Sequence, residues 1–175
     1  MGISGTYVDG FNHGATNTVY SLKLYTNRAE YGPFGTESGI PFYFRTEGII
    51  TGFHGRESAY LDAISVYLKP RCSFFTTALM EQHSEIDRRR IFGLLPRSPG
   101  PWGIINGGRE WDDGVFSAVK RIQVHVRPIG FVDVITAVRF EYQKRNGPYF
   151  WSRIHGTDNP GEIQEVSTPH QIFVA

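Results

Sequence analysis

Residues 121–127 read Arg-Ile-Gln-Val-His-Val-Arg, and apolar and polar side chains alternate along this stretch. Ile122, Val124 and Val126 fall on one side of an extended chain, because successive side chains of a strand point to opposite faces. His125 falls on the other side, which the pattern predicts to be polar and solvated. Alternation of this kind is typical of a β-strand with one buried face.

The same signal recurs through much of the chain. Alternating or apolar stretches predict further strands at 19–26, 40–46, 48–54, 62–69 and 137–142. Turn-forming residues are frequent, with 20 Gly and 10 Pro, and aromatic residues make up 14% of the 175. Aromatic and β-branched residues favour strands, while Gly and Pro favour turns. The sequence therefore predicts an all-β protein with many short strands, such as a sandwich, a barrel or a prism.

One internal segment, 71–96, has a different composition. It contains the run Thr-Thr-Ala-Leu-Met-Glu at 76–81, and Pro residues follow its charged second part. Ala, Leu, Met and Glu favour a helix, which a Thr can begin and a Pro ends. We therefore predict a short helical linker at 71–96 between two β-rich halves, 1–70 and 97–175.

Composition and charge exclude several classes of partner. The formal net charge is +1, so we expect neither nucleic acid nor a membrane surface as a partner. Cys72 is the one cysteine, which rules out an internal disulfide and fits a reducing compartment. The sequence has no apolar stretch of the ~20 residues that a membrane helix needs. It also begins without the pattern of a signal peptide. These features predict a cytoplasmic or nuclear protein.

The second half carries three short motifs in a fixed order. They are Gly-Pro-Trp-Gly at 100–103, Asn-Gly-Gly at 106–108 and Trp-Asp-Asp-Gly at 111–114. This series resembles the opening of the jacalin-related lectins of plants, in which a glycine-rich loop precedes a Trp-Asp-Asp-Gly segment and a strand.

The first half resembles the end of the same family. The corresponding stretches are Ile-Ser-Gly-Thr-Tyr at 3–7, Ser-Leu-Lys-Leu-Tyr-Thr-Asn at 21–27 and Tyr-Leu-Asp-Ala-Ile at 60–64. Each stretch alone is a weak signal, but their order and spacing together cover most of the chain outside the linker.

The two halves stand in the reverse of the family's order, which leaves three arrangements open. The halves can close on each other as one circularly permuted prism, or they can be exchanged between two chains. Alternatively, the chain carries the end of one tandem domain and the start of the next. Each half alone would expose a hydrophobic face and open strand edges, which favours mutual closure.

The resemblance implies a fold and a site. The fold is β-prism I, built from three Greek-key sheets, with a sugar site at one end that needs no metal or other cofactor. Asp62 matches the carboxylate that accepts hydrogen bonds from two sugar hydroxyls. Ala59 and Tyr60 supply neighbouring backbone donors, with Leu61 nearby. Gly108 matches the last glycine of the first loop, the glycine-rich stretch at 100–108, and in the family the N–H of this glycine meets the sugar.

The resemblance also implies a function, that of a non-enzymatic lectin for mannose- or glucose-type glycans. As a homo-oligomer, such a lectin would gain avidity from several weak sites. Two positions depart from the family pattern: Ser58 stands where the family has glycine, and Ile104-Ile105 replaces a single glycine. These departures support an alternative, a jacalin-like module for protein interaction or structure that does not bind sugar.

Other candidate chemistry is weak. Asp112 and Asp113 are adjacent, so their side chains point to opposite faces of a strand, and the resemblance makes them structural. None of the six histidines has a partner at the spacing of a metal-binding pair. Nothing in the pattern of residues indicates an active site, so we predict neither an enzyme nor a metal site.

Overall fold

A computed structural model describes residues 1–8, 18–69, 98–157 and 161–167. The regular elements in these ranges are β1 (Gly2–Val8), β2 (Thr18–Tyr25), β3 (Glu30–Gly35), β4 (Ile40–Arg45), β5 (Ile49–Glu57), β6 (Leu61–Lys69), β7 (Trp102–Gly103), β8 (Arg109–Asp112), β9 (Ala118–Ile129), β10 (Val132–Gln143), β11 (Tyr149–Trp151), β12 (His155–Gly156) and β13 (Glu162–Ser167). Each strand predicted from alternation is confirmed within a few residues. The helix predicted at 71–96 lies outside the described residues, as does Cys72.

The strands form three antiparallel sheets with the same internal order. The first sheet runs β3-β2-β1-β4, the second β7-β6-β5-β8, and the third β11-β10-β9-β13, with β12 also paired to β10. In each sheet a hairpin occupies the centre, the third strand flanks one side, and the fourth returns to the other side. That arrangement is a Greek key. The prediction of an all-β prism built from three Greek-key sheets is confirmed.

The second sheet joins the two halves of the sequence. Its central hairpin, β5 and β6, precedes the segment 70–97, whereas its outer strands, β7 and β8, follow it. Gly55 pairs with Trp111, and Ala63 pairs with Gly103. Without β7 and β8, both edges of the central hairpin would be left unpaired. In this structure, therefore, strands from both halves of one chain form a single sheet, although the halves stand in the reverse of the family's order.

Aromatic side chains join the sheets in the centre of the prism. Phe53 of β5 stacks on Phe140 of β10 with ring centroids 4.0 Å apart. Phe42 of β4 stacks on Trp102 of β7 at 5.4 Å. Each such pair contributes roughly 1 kcal/mol beyond the area it buries. The second sheet is thereby fixed against both of the others.

His125 corrects one prediction made from alternation. The side chain was expected to be solvated, but only 2% of His125 is exposed. Alternation assigns a side chain to a face of the strand, but it does not tell how deeply that face is covered. Burial, helped by the positive charge of Arg139, lowers the pKa of His125, so the ring is neutral at physiological pH.

A repeated backbone contact relates the three sheets and marks one position in each. Gly35, Gly103 and Gly156 all have positive φ. A Cβ at each glycine would lie 2.1–2.2 Å from a carbonyl oxygen, so no side chain fits there. The residues that provide these oxygens are Tyr20, Asp62 and Thr136. Asp62 alone of these three equivalent residues carries a carboxylate, so the pseudo-threefold prism presents this acid in one sheet.

Candidate functional site

Asp62 lies at the start of β6, beneath the loop that follows β7. Only 1% of the residue is exposed. Its Oδ1 accepts a hydrogen bond from Ser58 Oγ at 2.8 Å, and its main-chain oxygen accepts one from the Ile104 N–H at 3.0 Å. Asp62 is therefore fixed by the turn before it and by the loop above it.

The other carboxylate oxygen, Oδ2, faces Gly108. A Cβ at Gly108 would lie 2.2 Å from Asp62 Oδ2 and 2.3 Å from the Glu57 carbonyl oxygen, and the residue has φ +61°. Any side chain here would strike both groups, so the loop needs glycine. Oδ2 is buried and accepts no hydrogen bond from the described residues. A buried polar atom left unpaired costs about 1–3 kcal/mol, so a donor that reaches Oδ2 is favoured.

Burial also changes the acidity of Asp62. It raises the pKa of this carboxyl, and the negative charge of Glu57 adds to the rise. The hydrogen bond from Ser58 and the positive charge of Arg56 offset only part of the effect. The ionised form of this group is therefore poorly hydrated, and a poorly hydrated carboxylate forms strong hydrogen bonds with hydroxyl donors.

The turn between β5 and β6 forms one side of the site. Ser58 and Ala59 are exposed and Tyr60 is half-buried. The Ser58 N–H donates to the Tyr60 carbonyl oxygen at 3.0 Å, which closes the turn. Leu61, in contrast, is fully buried in the core. Of the predicted site residues, the structure brings Asp62 and Gly108 into contact, places Ala59 and Tyr60 on the adjoining turn, and directs the Leu61 side chain away.

Arg56 is a residue of this region that sequence reasoning missed. Its guanidinium donates to the carbonyl oxygens of Gly107 and Gly108 and to the carboxylate of Glu110. The signal that could have found it is the strand register, in which Arg56 lies directly opposite Glu110. That register depends on the pairing of β5 with β8, which no local pattern reveals.

The comparison with known proteins agrees with this architecture. The sequence profile described as the jacalin-like lectin domain matches residues 1–67 and 99–171, on both sides of the predicted linker. The chain belongs to the jacalin-like lectin family.

Curated relatives of this jacalin-like lectin are plant proteins. An agglutinin of Castanea crenata is 38% identical over 166 residues, which cover 94% of this chain and 48% of the relative. Jacalin-related lectin 3 of Arabidopsis thaliana is 36% identical over 190 residues, covering 91% of this chain and 30% of the relative. A mannose/glucose-specific lectin of Parkia pendula is 34% identical over 136 residues, covering 75% of this chain and 25% of the relative.

These relatives are longer than the chain, which spans about half the length of the agglutinin and less of the other two. A comparison with solved structures gave no match. In the described part of this jacalin-like lectin, no helix is long and apolar enough to cross a membrane.

Glu57 links the region around Asp62 and the first loop to the third sheet. Its carboxylate is 4% exposed and accepts hydrogen bonds from Arg109, Arg153 and the Gly156 N–H at 2.7–2.9 Å. Burial by itself would raise the pKa of this carboxyl, but these three hydrogen bonds together hold its pKa below that of an ordinary glutamate. Glu57 is therefore an ionised brace between the first loop and the third sheet.

The adjacent acids of the Trp-Asp-Asp-Gly motif serve two different places in the lectin. Asp112 Oδ2 accepts the hydroxyl of Tyr67 at 2.8 Å, and burial followed by this carboxylate raises the pKa of Tyr67 to about 12. Asp113 accepts the buried Tyr142 hydroxyl and lies 2.8 Å from His155 Nε2. The structural role expected for both acids agrees with these bonds. Over the described ranges, no three His, Cys, Asp or Glu side chains converge as they would around a metal ion.

Proposed function

We propose that this lectin chain binds neutral sugars of the mannose or glucose type at Asp62, without a metal ion and without catalysis. The observation that carries the proposal is the buried Asp62 Oδ2, which accepts no bond from the described residues and lies against a glycine that admits no side chain. The sugar class is supported by relatives from Parkia that are named mannose/glucose-specific lectins.

The chemistry of the site suits a polyol. A carboxylate accepts hydrogen bonds from two neighbouring hydroxyls, and such charge-assisted bonds are stronger than neutral ones. Backbone N–H groups of Gly108, Ala59 and Tyr60 can donate to sugar oxygens, and the Tyr60 ring can cover an apolar face of the sugar. A site supported by strands and tight turns loses little entropy when the sugar binds.

Isothermal titration calorimetry tests the proposal directly. The methyl glycosides of mannose, glucose and galactose are titrated separately into the folded protein. We expect heat from the mannoside and the glucoside and little from the galactoside. Binding of the galactoside alone would contradict the proposed sugar class, and the absence of heat from all three would contradict sugar binding at this site.

Sugar binding is predicted to weaken on acidification, beginning at a milder pH than for an ordinary aspartate. Binding needs the ionised carboxyl, and burial raises the pKa of Asp62, so this group takes up its proton at a higher pH than an ordinary aspartate, whose pKa is about 3.9. The dissociation constant for methyl-mannoside should therefore rise as the pH falls from about 7 towards 4. Circular dichroism at each pH verifies the fold. Constant affinity over this range would show that binding does not use the Asp62 carboxylate.

Ser58→Ala is predicted to tighten the binding of methyl-mannoside about five-fold at neutral pH. The Ser58 hydroxyl donates a hydrogen bond to Asp62 Oδ1. Its removal leaves that oxygen free to accept from a sugar hydroxyl, which should improve the binding free energy by about 1 kcal/mol. Ser58→Thr keeps the hydroxyl and serves as the matched control, with the parent's affinity expected. Weaker binding by Ser58→Ala alone would mean that the serine hydroxyl itself contacts the sugar.

A module that binds protein and no sugar is the second candidate. The observation that favours it is Ile105, which is 55% exposed at the tip of the first loop, where the family resemblance leads us to expect glycine. An apolar side chain at the rim suits a protein surface better than a hydroxyl-rich sugar. A well-folded protein that gives no heat with any of the three glycosides would support this candidate.

A further inference from the structure

The guanidinium of Arg56 holds the first loop at two consecutive peptide units. Arg56 Nε donates to the Gly107 carbonyl oxygen, and Nη2 donates to the Gly108 carbonyl oxygen at 3.1 Å. Nη1 is paired with Glu110 on the neighbouring strand, which orients the plane of the guanidinium. The Arg56 side chain is itself largely covered, with 21% of it exposed. A rigid, planar group on a strand thus adds two restraints to a loop that the Ile104 N–H also ties to the Asp62 carbonyl oxygen.

Because the peptide bond is planar, the bond from Arg56 to the Gly107 carbonyl oxygen also orients a hydrogen-bond donor, the Gly108 N–H. The Gly107 carbonyl and the Gly108 N–H belong to one planar trans peptide unit, in which they point in opposite directions. Holding the carbonyl therefore fixes the direction of the N–H. The second bond fixes the next peptide unit, so both sides of the Gly108 Cα are restrained. Glycine has the greatest backbone freedom of any residue, and it loses most by such restraint.

We infer that Arg56 is a positioning residue for ligand binding, which aims the Gly108 N–H and holds Gly108 against Asp62 Oδ2. This inference rests on the proposed function, because the Gly108 N–H is the donor assigned there to the sugar. Arg56 does not touch the sugar. It acts through the Gly107–Gly108 peptide, so its contribution lies in preorganisation of the loop.

The test compares Arg56→Lys with the parent protein. Lysine keeps the positive charge but cannot form a planar fork, so the charge near Asp62 is retained while the two loop contacts are lost. Arg121→Lys is the matched control, because Arg121 also donates two bonds to one partner, Glu141, on the outer face of the third sheet. We expect Arg56→Lys to bind methyl-mannoside about ten-fold more weakly, and Arg121→Lys to bind as the parent does.

Two readouts separate positioning from a general structural role. In amide NMR spectra recorded without sugar, the Gly108 resonance should shift and its hydrogen exchange should quicken in Arg56→Lys but not in Arg121→Lys. A series of monodeoxy methyl-mannosides removes one sugar hydroxyl at a time. Removing the hydroxyl that accepts from the Gly108 N–H should weaken binding to the parent strongly, but binding to Arg56→Lys only a little.

These measurements distinguish a failure of the inference about Arg56 from a failure of the proposed function. An unmoved Gly108 amide, or sugar binding by Arg56→Lys that is unchanged or tighter, overturns the inference. If the parent binds no sugar, the proposed function fails on that measurement, whereas the Gly108 amide still decides whether Arg56 positions this peptide.

Discussion

Asp62→Asn is expected to weaken the binding of methyl-mannoside at least about 100-fold. Asparagine has the size of aspartate, but it replaces one acceptor oxygen by a donor and removes the negative charge. A hydrogen bond to a charged group is worth about 1.5–3 kcal/mol, and two such bonds are lost or weakened here. Since 1.4 kcal/mol is about ten-fold in affinity, their loss takes a weak monosaccharide site below detection. Isothermal titration calorimetry at neutral pH measures the change.

The matched control for this variant is Asp133→Asn. Asp133 is the second residue of β10, as Asp62 is of β6, but Asp133 is exposed. Its described bonds to Thr36 use the main chain, which the substitution does not alter. Asp133→Asn should bind as the parent does. If the Asp62→Asn protein melts like the parent and still binds the sugar, the binding site does not use Asp62 and lies elsewhere.

The strands could be predicted from the sequence because alternation is a local property. The pattern at 121–127 lies within β9, and the stretch at 62–69 differs from β6 by one residue. The Greek-key order could not be derived in this way. The pairing of β5 with β8 connects residues more than 50 positions apart, and alternation gives the faces of a strand but not its neighbour. That part of the fold was predicted from the family resemblance.

The residues of the candidate site, like the fold, could be predicted only in part from the sequence. Asp62 and Gly108 were predicted from motifs in separate halves, and the structure places them so close that a Cβ added at Gly108 would lie 2.2 Å from Asp62 Oδ2. The hydrogen bond from Ser58 to Asp62 and the contacts of Arg56 with the loop were not predicted, because they depend on side-chain directions at a particular register. The prediction that His125 is solvated was wrong for a related reason, because the exposure of a side chain depends on how its face of the sheet is covered.

Glu57→Gln is expected to lower the stability of the folded protein by about 3 kcal/mol, the largest stability effect that we predict. The buried carboxylate accepts bonds from Arg109, Arg153 and the Gly156 N–H, so it links the first loop to the third sheet. Removing one partner of a buried ionic cluster leaves the others imperfectly paired, which costs about 3–5 kcal/mol when all are buried. The arginine side chains are 75% and 48% exposed and can turn to water, which places the effect at the lower end.

For a domain of this size the loss corresponds to a melting temperature roughly 6–12 °C lower. Thermal unfolding followed by circular dichroism measures it. Glu37→Gln is the control, because the Lys23–Glu37 pair lies at the surface and surface pairs add little to stability. This control should melt close to the parent.

The pH dependence identifies the cause of the Glu57→Gln effect. The folded state holds the pKa of Glu57 below its ordinary value, so the carboxylate stabilises the fold above the unfolded-state pKa. That stabilisation is lost as the pH falls through the depressed folded-state pKa. The melting temperatures of the parent and Glu57→Gln should therefore differ most at neutral pH and converge in acid. A constant difference at every pH would assign the effect to altered packing rather than to charge. Equal melting temperatures at neutral pH would mean that Arg109 and Arg153 are as well paired with water as with Glu57, and that the strand pairing alone holds the loop to the prism.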